Sequence, residues 1–304
     1  MNVLISGGSG LIGSALTRSL LADSHRVWIL TRNPTGHGLP SGALPVQWDG
    51  RTNSGWMGVF AQMDAVVNLA GETVGKWPWN ASHKKRILNS RVDAGRAIAD
   101  AFQQAGKKPA VLIQASGIGY YGPCGKARIT EGAPAGNDFM ASVAEQWEAS
   151  TRMVDDLPGV RRAIIRTSLV LDAKLGVLPL MAMPVRLFAG GPLGSGAQGV
   201  SWIHIEDEIR AIRFLLENTS TRGAFNLSAP NPLSSADFMR ELAKVLSRPY
   251  WLPAPAFALR ALLGEMSSLL LDGQYALPRR LVDHGFTFRH ENAEQAFRAL
   301  YQAV

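Results

Sequence analysis

The chain has 304 residues, of which 46% are hydrophobic and 18% are charged, and its formal net charge at pH 7 is +7. This length and composition indicate one large or two joined globular domains and exclude a disordered protein. The single cysteine, Cys124, excludes an intramolecular disulfide and a cysteine-based metal site, so we expect a reducing, cytoplasmic location.

The positive charge is densest on a predicted helix that contains His83-Lys84-Lys85-Arg86. The same helix carries an apolar stripe, so we interpret the charges as its solvated face and expect no nucleic-acid partner. No stretch approaches the eighteen apolar residues of a membrane span. The apolar run at the start of the sequence is only four residues long and lacks the basic region of a signal peptide. We therefore expect no membrane partner.

The first 22 residues contain a strand, a glycine-rich turn and a helix in immediate succession. Val3-Leu4-Ile5-Ser6 has the length and composition of a strand, and the glycines at 7, 10 and 13 follow it. Gly7 permits a tight turn, Gly10 removes a side chain where a pyrophosphate approaches, and Gly13 lets the helix press against the strand. The N–H groups at the start of the helix favour phosphate. The sequence therefore predicts a dinucleotide-binding site.

A second predicted strand, Val27-Trp28-Ile29-Leu30, ends in Thr31-Arg32. A carboxylate at this place would bind a free ribose 2′-hydroxyl, whereas an arginine suits a 2′-phosphate. Arg32 therefore favours NADP(H) over NAD(H). The alternative is that Arg32 is an ordinary solvated loop residue.

Strands and helices alternate through residue 171. Further strands are predicted at 45–48, 65–70, 110–116 and 162–171, with helices at 80–104 and from 139. This alternation indicates an α/β fold, a Rossmann-type doubly wound parallel sheet. Proline and glycine break the pattern after residue 171. We predict a Rossmann domain at 1–171, completed by a strand near 224–229, and a smaller, mostly helical, substrate-side domain at 172–304.

Several motifs resemble those of the extended short-chain dehydrogenase/reductases. They are the glycine turn at 7–13, Asn68-Leu69-Ala70-Gly71 and the end of the fifth strand. The whole chain resembles an atypical branch of that superfamily, the "epimerase family proteins", which has its own small C-terminal domain. The stretches that carry this closer resemblance include Gly119-Tyr120-Tyr121-Gly122, Gly190 to Gly196, Trp202 to Asp207 and Gly285 to Phe288.

The resemblance implies an NADP(H) cofactor and a set of residues that contact it. The implied contacts are Gly7, Ser9, Gly10, Leu11, Ile12, Thr31, Arg32, Leu69, Ala70, Gly71, Arg91 and Ser168. For Arg91, a surface arginine on a helix is the alternative interpretation.

The sequence departs from the superfamily where proton transfer takes place. Active members carry a Tyr-x-x-x-Lys pair on the helix after the fifth strand, and here that register contains Phe139 and Val143. Phenylalanine has no proton to give and valine has no charge. The slot of the partner serine contains Gly117, one residue after Ser116.

Four residues are candidates to replace the missing groups: Tyr120, Tyr121, Ser116 and His204. Each has a structural alternative, since tyrosines in a glycine-rich turn often pack as a lid and small residues at strand ends provide space. His204 has Glu206 and Asp207 nearby, and a structural hydrogen-bonding histidine is its alternative. No paired histidines at ligand spacing accompany it, so we expect no metal site.

Two functions remain open. One is an NADP(H)-dependent oxidoreductase or epimerase-like enzyme acting on the carbonyl or hydroxyl group of a small molecule. The other is a catalytically inactive NADP(H)-binding regulator or sensor, since Phe139 and Val143 have replaced the usual pair. Either a monomer or a homodimer is expected.

Overall fold

A computed structural model describes residues 1–36 and 38–302. In chain order its strands are β1 Asn2–Ser6, β2 Arg26–Thr31, β3 Leu44–Gln47, β4 Ala65–Asn68, β5 Val111–Gly117, β6 Arg128–Ile129, β7 Arg161–Thr167, β8 Leu169–Leu171, β9 Gly199–Val200, β10 Trp202–His204, β11 Gly223–Leu227, β12 Leu233–Ser234 and β13 Tyr275–Ala276. Its α-helices are α1 Leu11–Ala22, α2 Met57–Phe60, α3 Ala81–Gln104, α4 Phe139–Ala149, α5 Leu178–Arg186, α6 Ile205–Glu217, α7 Ser235–Val245, α8 Ala256–Leu263, α9 Ser268–Leu271, α10 Arg279–Asp283 and α11 Ala293–Tyr301.

The central sheet has seven parallel strands in the order β11-β7-β5-β4-β1-β2-β3. The chain runs outward from β1 through β2 to β3, and then returns to add β4 on the other side of β1. This reversal creates a crevice at the carboxyl ends of β1 and β4, which is where α/β sheets of this kind bind ligands. The Rossmann-type fold class is therefore confirmed.

Both faces of the sheet are covered by helices, which explains the nearly continuous apolar sequence of its strands. On one face, Leu16 of α1 and Ile212 of α6 share a buried cluster with Ile5 of β1. On the other face, Ile98 and Phe102 of α3 form a second buried cluster. The glycine turn therefore stands on a rigid, two-sided core.

The chain beyond residue 171 contributes to both parts of the molecule. Helix α6 packs beside α1, and β11 pairs with β7 to complete the sheet, as predicted for a strand near 224–229. Helices α5, α7 and α11 instead surround a third buried cluster, in which the Phe238 and Phe297 ring centroids lie 5.0 Å apart. The domain boundary at residue 171 stays a prediction.

The predicted strand at 162–171 is wrong as a single element. The chain leaves the main sheet at Ser168, whose N–H and hydroxyl both donate to the Leu227 carbonyl. The remaining residues form β8, which pairs with β10 in a separate two-stranded sheet. The residues before Ser168 pack in the main sheet and those after it in the two-stranded sheet. The sequence therefore stays apolar across this point and does not indicate that the first strand ends there.

Among the described helices, none combines the length and apolar character needed to cross a bilayer.

Candidate active site

The glycine turn between β1 and α1 is built by close backbone contacts. Gly7 has a φ of +72°, and a Cβ atom there would lie 2.6 Å from the Leu69 carbonyl oxygen. A Cβ atom at Gly13 would lie 2.3 Å from the Gly7 carbonyl oxygen. A Cβ at Gly10 would meet only the Gly7 oxygen, at 3.3 Å. Gly7 and Gly13 are thus required by packing, while Gly10 leaves the outer side of the turn bare.

The start of α1 has donors without acceptors. No side chain caps the helix at Gly10, and within the described residues nothing accepts from the N–H groups of Leu11 and Ile12. Ser9 and Gly10 are exposed beside them. Unpaired N–H groups and the positive end of the helix dipole favour an anion. The turn therefore fits the pyrophosphate of a dinucleotide.

The end of β2 presents a cation at one side of this turn. The Arg32 side chain is exposed, and its Cδ lies near Gly50 in the turn after β3. Thr31 is half-buried, and its hydroxyl accepts from the Asn33 N–H at 3.2 Å. Arg32 is therefore placed to meet an anion at the β2 side of the crevice.

On the other side of the turn, Leu69, Ala70 and Gly71 follow β4, and Arg91 lies against them. Its guanidinium carbon would be 3.0 Å from a Cβ atom at Gly71. The Arg91 Nη1 donates to the carbonyls of Glu72, at 2.9 Å, and of Ile87, at 3.0 Å. Burial lowers the pKa of Arg91 to about 10. Arg91 is thus an immobilised cation of the crevice rather than a solvated surface residue.

A buried network beyond β5 contains two of the predicted catalytic residues. Ser116 Oγ donates to Glu148 Oε1 at 2.7 Å. Arg166 donates from Nε and Nη2 to the two oxygens of Glu148, at 2.8 and 2.9 Å, and from Nη1 to Tyr121 Oη at 3.0 Å. The Tyr121 hydroxyl in turn donates to Asn226 Oδ1 at 2.7 Å. The hydroxyl protons of both Ser116 and Tyr121 are therefore already committed.

Burial raises the pKa of Tyr121, although the Arg166 guanidinium opposes that shift. The ring is 3% exposed. A buried phenol that stays protonated and donates a hydrogen bond to an amide oxygen is a structural group. The alternative interpretation of Tyr121 as a packing residue therefore fits the geometry better than a catalytic one.

Tyr120 differs from its neighbour. Its ring is half-buried, and the Arg166 guanidinium carbon lies 3.4 Å from the ring centroid. Within the described part of the chain, no side chain or backbone group hydrogen-bonds to the Tyr120 hydroxyl, while its carbonyl accepts from the Gly136 N–H. The turn that carries it packs on the start of α4. Tyr120 therefore offers a free phenol next to a fixed cation.

Phe139 and Val143 occupy the first turns of α4. Val143 is buried, and Phe139 lines a cleft of about 470 Å³ between the start of α4 and the segment 260–272. Lys84 Nζ lies 4.9 Å from the Phe139 ring centroid and forms an ion pair with Glu265 across the cleft. The cleft is thus lined by the paired charges of Lys84 and Glu265 and by the Phe139 ring, which cannot transfer a proton.

His204 ends β10 and begins α6. Its Nδ1 accepts from the Glu206 N–H at 3.1 Å, which caps the helix. Burial and the nearby His290 lower the pKa of His204 to about 4, so the imidazole is neutral at pH 7. The structure gives His204 this capping role and places it on the β8–β10 sheet, outside the Ser116–Tyr121 network.

His204, Glu206 and His290 offer ligand atoms within 4.8 Å of one another. However, His290 Nε2 lies 3.1 Å from one Glu206 oxygen, and the Arg289 guanidinium pairs with the other. Because the His204 Nδ1 accepts a hydrogen bond, we assign its proton to Nε2, which leaves no lone pair for a metal. Both oxygens of Glu206 are therefore engaged by His290 and Arg289, and the expectation of no metal site stays a prediction.

Glu208 is a buried carboxyl group that the sequence interpretation missed. It is 0% exposed and accepts from the Thr167 hydroxyl at 2.9 Å, and its second oxygen has no partner among the described residues. Burial raises its pKa to about 8. The folded protein therefore holds this proton at pH values where the unfolded chain has lost it.

The stability of the protein is expected to fall between pH 4.5 and 8 because of Glu208. In this range the folded state binds more protons than the unfolded state, so the free energy of unfolding decreases as pH rises. A Glu208→Gln variant cannot titrate, and relative to it the wild type should lose roughly 3–4 kcal/mol over the range. Urea unfolding at pH 5 and pH 8 measures the difference. The exposed Glu145→Gln variant is the control, and parallel curves for wild type and Glu208→Gln would contradict the assignment.

Sequence reasoning also missed Glu148, Arg166 and Asn226. One signal for them was present, since Arg166 directly follows the apolar run Ala163-Ile164-Ile165 within a strand. A charged residue within a strand that is buried on both faces needs a buried partner. The sequence around Glu148 and Asn226 gives no comparable indication that these side chains are buried.

Comparison with known proteins identifies the family. Residues 3–228 match the model of the NAD dependent epimerase/dehydratase family, and residues 254–300 match a domain of unknown function, DUF1731. The epimerase family protein YfhF of Bacillus subtilis is 37% identical over 309 residues, which cover 99% of this chain and 98% of that protein.

Two further relatives cover nearly the whole chain. The chloroplastic homologue of epimerase family protein SDR39U1 from Arabidopsis thaliana is 38% identical, with 99% of this chain and 87% of that protein covered. The crystal structure of human SDR39U1 (isoform 2) with NADPH is 30% identical and covers 100% of both chains, with a TM-score of 0.88. The chain therefore belongs to the NAD dependent epimerase/dehydratase family, among the epimerase family proteins that resemble SDR39U1.

Proposed function

We propose that the protein binds NADP(H) in the crevice at the carboxyl ends of β1 and β4. The observation that carries this proposal is the bare glycine turn with its unpaired N–H groups at the start of α1. The human relative crystallised with NADPH supports it. Ser9, Gly10, Leu11 and Ile12 would hold the pyrophosphate.

The flanking residues complete the proposed site. Thr31 and Arg32 at the end of β2 would hold the 2′-phosphate, since an exposed guanidinium binds phosphate well. Residues 69–71 and Arg91 would line the dinucleotide beyond β4. The nicotinamide end would then reach β5 and β7, where Gly117 and Ser168 lie.

We further propose an oxidoreductase or epimerase-like reaction on a carbonyl or hydroxyl substrate that would bind beside the nicotinamide. Bound NADP(H) supplies or accepts hydride at its nicotinamide. The protein must then orient the substrate and move one proton. Among the candidates, Tyr120 best suits the second task because its hydroxyl is free, whereas those of Ser116 and Tyr121 are engaged.

A second candidate function is an NADP(H)-binding regulator without chemistry. Phe139 and Val143 favour it, because neither can serve in proton transfer. The ion pair between Lys84 and Glu265 also spans the cleft at this ring. In this alternative, NADP(H) binding would change the conformation of the protein and thereby the binding of a macromolecular partner.

Arg32→Glu is expected to weaken NADPH binding by at least about tenfold more than NADH binding, because a charge-assisted contact becomes repulsion. Isothermal titration of the purified protein with each cofactor measures both affinities. Arg152→Glu, at an exposed arginine on the 3₁₀ segment Arg152–Asp156, is the matched control. Equal losses for the two cofactors would contradict the role given to Arg32.

The enzyme and the regulator are separated by a turnover assay. Carbonyl compounds and nucleotide sugars are supplied with cofactor, and the absorbance of the reduced nicotinamide and the epimer composition of the sugars are both followed. Multiple turnover with any of them supports the enzyme. Tight NADPH binding without turnover on the whole panel would favour the regulator.

A further inference from the structure

Two segments that lie side by side carry an unusual surface. They are residues 173–190, which include α5, and residues 247–264, which include α8. The Trp251 indole donates to the Phe188 carbonyl, and the N–H groups of Trp251 and Leu252 donate to the Gly190 carbonyl. Leu193 and Ala254 form a further bridge. We call the outer surface of the two segments the basic apolar face.

Large apolar side chains are concentrated on this face. Of the fifteen large hydrophobic residues exposed in the described part of the chain, nine belong to it. They are Leu175, Leu180, Met183, Leu187, Phe188, Trp251, Leu252, Phe257 and Leu262. Single exposed hydrophobic residues are normal on a protein surface, whereas their concentration on two neighbouring segments indicates an interaction site.

The helices of this face are apolar on sides that a surface helix normally makes polar. Helix α5 buries Leu178, Ala182 and Val185 against α7, yet its opposite side carries Leu180 and Met183. Helix α8 buries none of its residues, although seven of the eight are apolar. Helices that are apolar all round are covered in the functional state.

All charged residues within the two segments are cations. The two segments contain Lys174, Arg186, Arg248 and Arg260, all exposed, and no aspartate or glutamate. The Arg248 guanidinium carbon lies 4.7 Å from the Phe188 ring centroid. Of the nearest acids along the chain, Asp172 accepts from the N–H groups of Lys174 and Leu175, and Glu265 is paired with Lys84.

The charges of the basic apolar face indicate which kind of partner it binds. A second copy of the chain would bring cations against cations, which costs free energy at an isologous interface. An anionic surface would instead be attracted by every charge on the face. Exposed Trp, Phe and Leu beside Arg and Lys is the composition of protein surfaces that enter the headgroup region of a bilayer.

We propose that the basic apolar face docks on the surface of an anionic phospholipid bilayer, with Phe257, Leu262 and Trp251 entering the headgroup region. This is peripheral binding and differs from the spanning segment that the sequence excludes. It departs from the expectation, made from the sequence, that the protein has no membrane partner. The cofactor crevice and the docking face are formed by different elements. The face shares Arg260 and Gly264 with the wall of the cleft beside Phe139.

Co-sedimentation with vesicles tests the proposal. The full chain is mixed with vesicles of phosphatidylcholine and phosphatidylglycerol in equal parts, or of phosphatidylcholine alone. We expect binding to the anionic vesicles that weakens as salt is raised. A Phe257→Ser/Leu262→Ser double variant and an Arg248→Glu variant should each bind at least about tenfold more weakly. Both changes lie on exposed side chains, so thermal unfolding should stay close to that of the wild type.

Two variants outside the face serve as matched controls. Val282→Ser changes a half-exposed apolar residue, and Arg152→Glu reverses an exposed charge. Both should bind the anionic vesicles as the wild type does. Absence of binding to anionic vesicles, or equal losses in the controls, would overturn the proposal. A dimer that dissociates in the Phe257→Ser/Leu262→Ser variant, without any vesicle binding, would also overturn it and assign the face to a second copy.

Discussion

Replacing Tyr120 by phenylalanine is expected to lower kcat by about 10²- to 10⁴-fold, which is the usual contribution of a positioned proton donor. The Tyr120 hydroxyl takes part in no hydrogen bond with the described residues, so its removal leaves no buried group unsatisfied. NADPH affinity and the free energy of unfolding should therefore stay close to the wild-type values. Steady-state kinetics on a substrate found in the turnover assay, with urea unfolding of the same samples, measures both properties.

Tyr121→Phe is the matched control, because it removes the same atom from the next residue. Its hydroxyl donates to Asn226 and accepts from Arg166. Loss of this hydroxyl should lower the free energy of unfolding by about 1–3 kcal/mol, because buried polar groups are left unpaired. Turnover should persist. If Tyr120→Phe turns over normally, Tyr120 is not the proton donor. Cofactor binding at the glycine turn would then remain a separate, intact proposal.

Arg166→Met is expected to destabilise the protein by about 3–5 kcal/mol, because it leaves the Glu148 carboxylate buried without its cation. The pair is bidentate, and its side chains are only 6% and 11% exposed. A Glu148→Gln/Arg166→Met double variant should recover part of the loss, since the uncompensated charge disappears. Urea unfolding of the three proteins measures the free energies.

An exposed pair of the same kind provides the control for Arg166. Arg279 and Asp283 form a salt bridge four residues apart on α10, with side chains 70% and 50% exposed. Solvent weakens such a pair, so Arg279→Met should cost less than about 1 kcal/mol. A similar loss for both variants would mean that the Ser116–Tyr121 network contributes no more than a surface contact.

The parts of the fold that sequence predicts well are those whose signals are local. The first 32 residues contain the glycine turn, the start of α1 and the end of β2. Each of these features restricts its neighbours through backbone geometry. The start of the helix predicted at 80–104 is another example, since the Asn80 side chain accepts from the His83 N–H and caps α3. The replacement of the Tyr-x-x-x-Lys pair is also visible without a structure.

The parts that sequence reasoning could not reach depend on contacts between distant residues. Ser116, Glu148 and Arg166 lie on three different elements, and the pairing of β5 with β7 and the packing of α4 on β5 bring them together. Whether a tyrosine hydroxyl is free or engaged follows from such contacts, so Tyr120 and Tyr121 look equivalent in sequence. The end of β7 is likewise set by Ser168 and its partner Leu227, which lie 59 residues apart.

The position of β11 limits how this protein can be divided. This strand comes from the second half of the chain and forms the outer edge of the sheet beside β7. A fragment cut after residue 171 would expose the edge of β7 and remove Asn226 from Tyr121. Chimeras that exchange the C-terminal portion between relatives must therefore leave residues 205–227 with the host, and treat only the later helices as a transferable module.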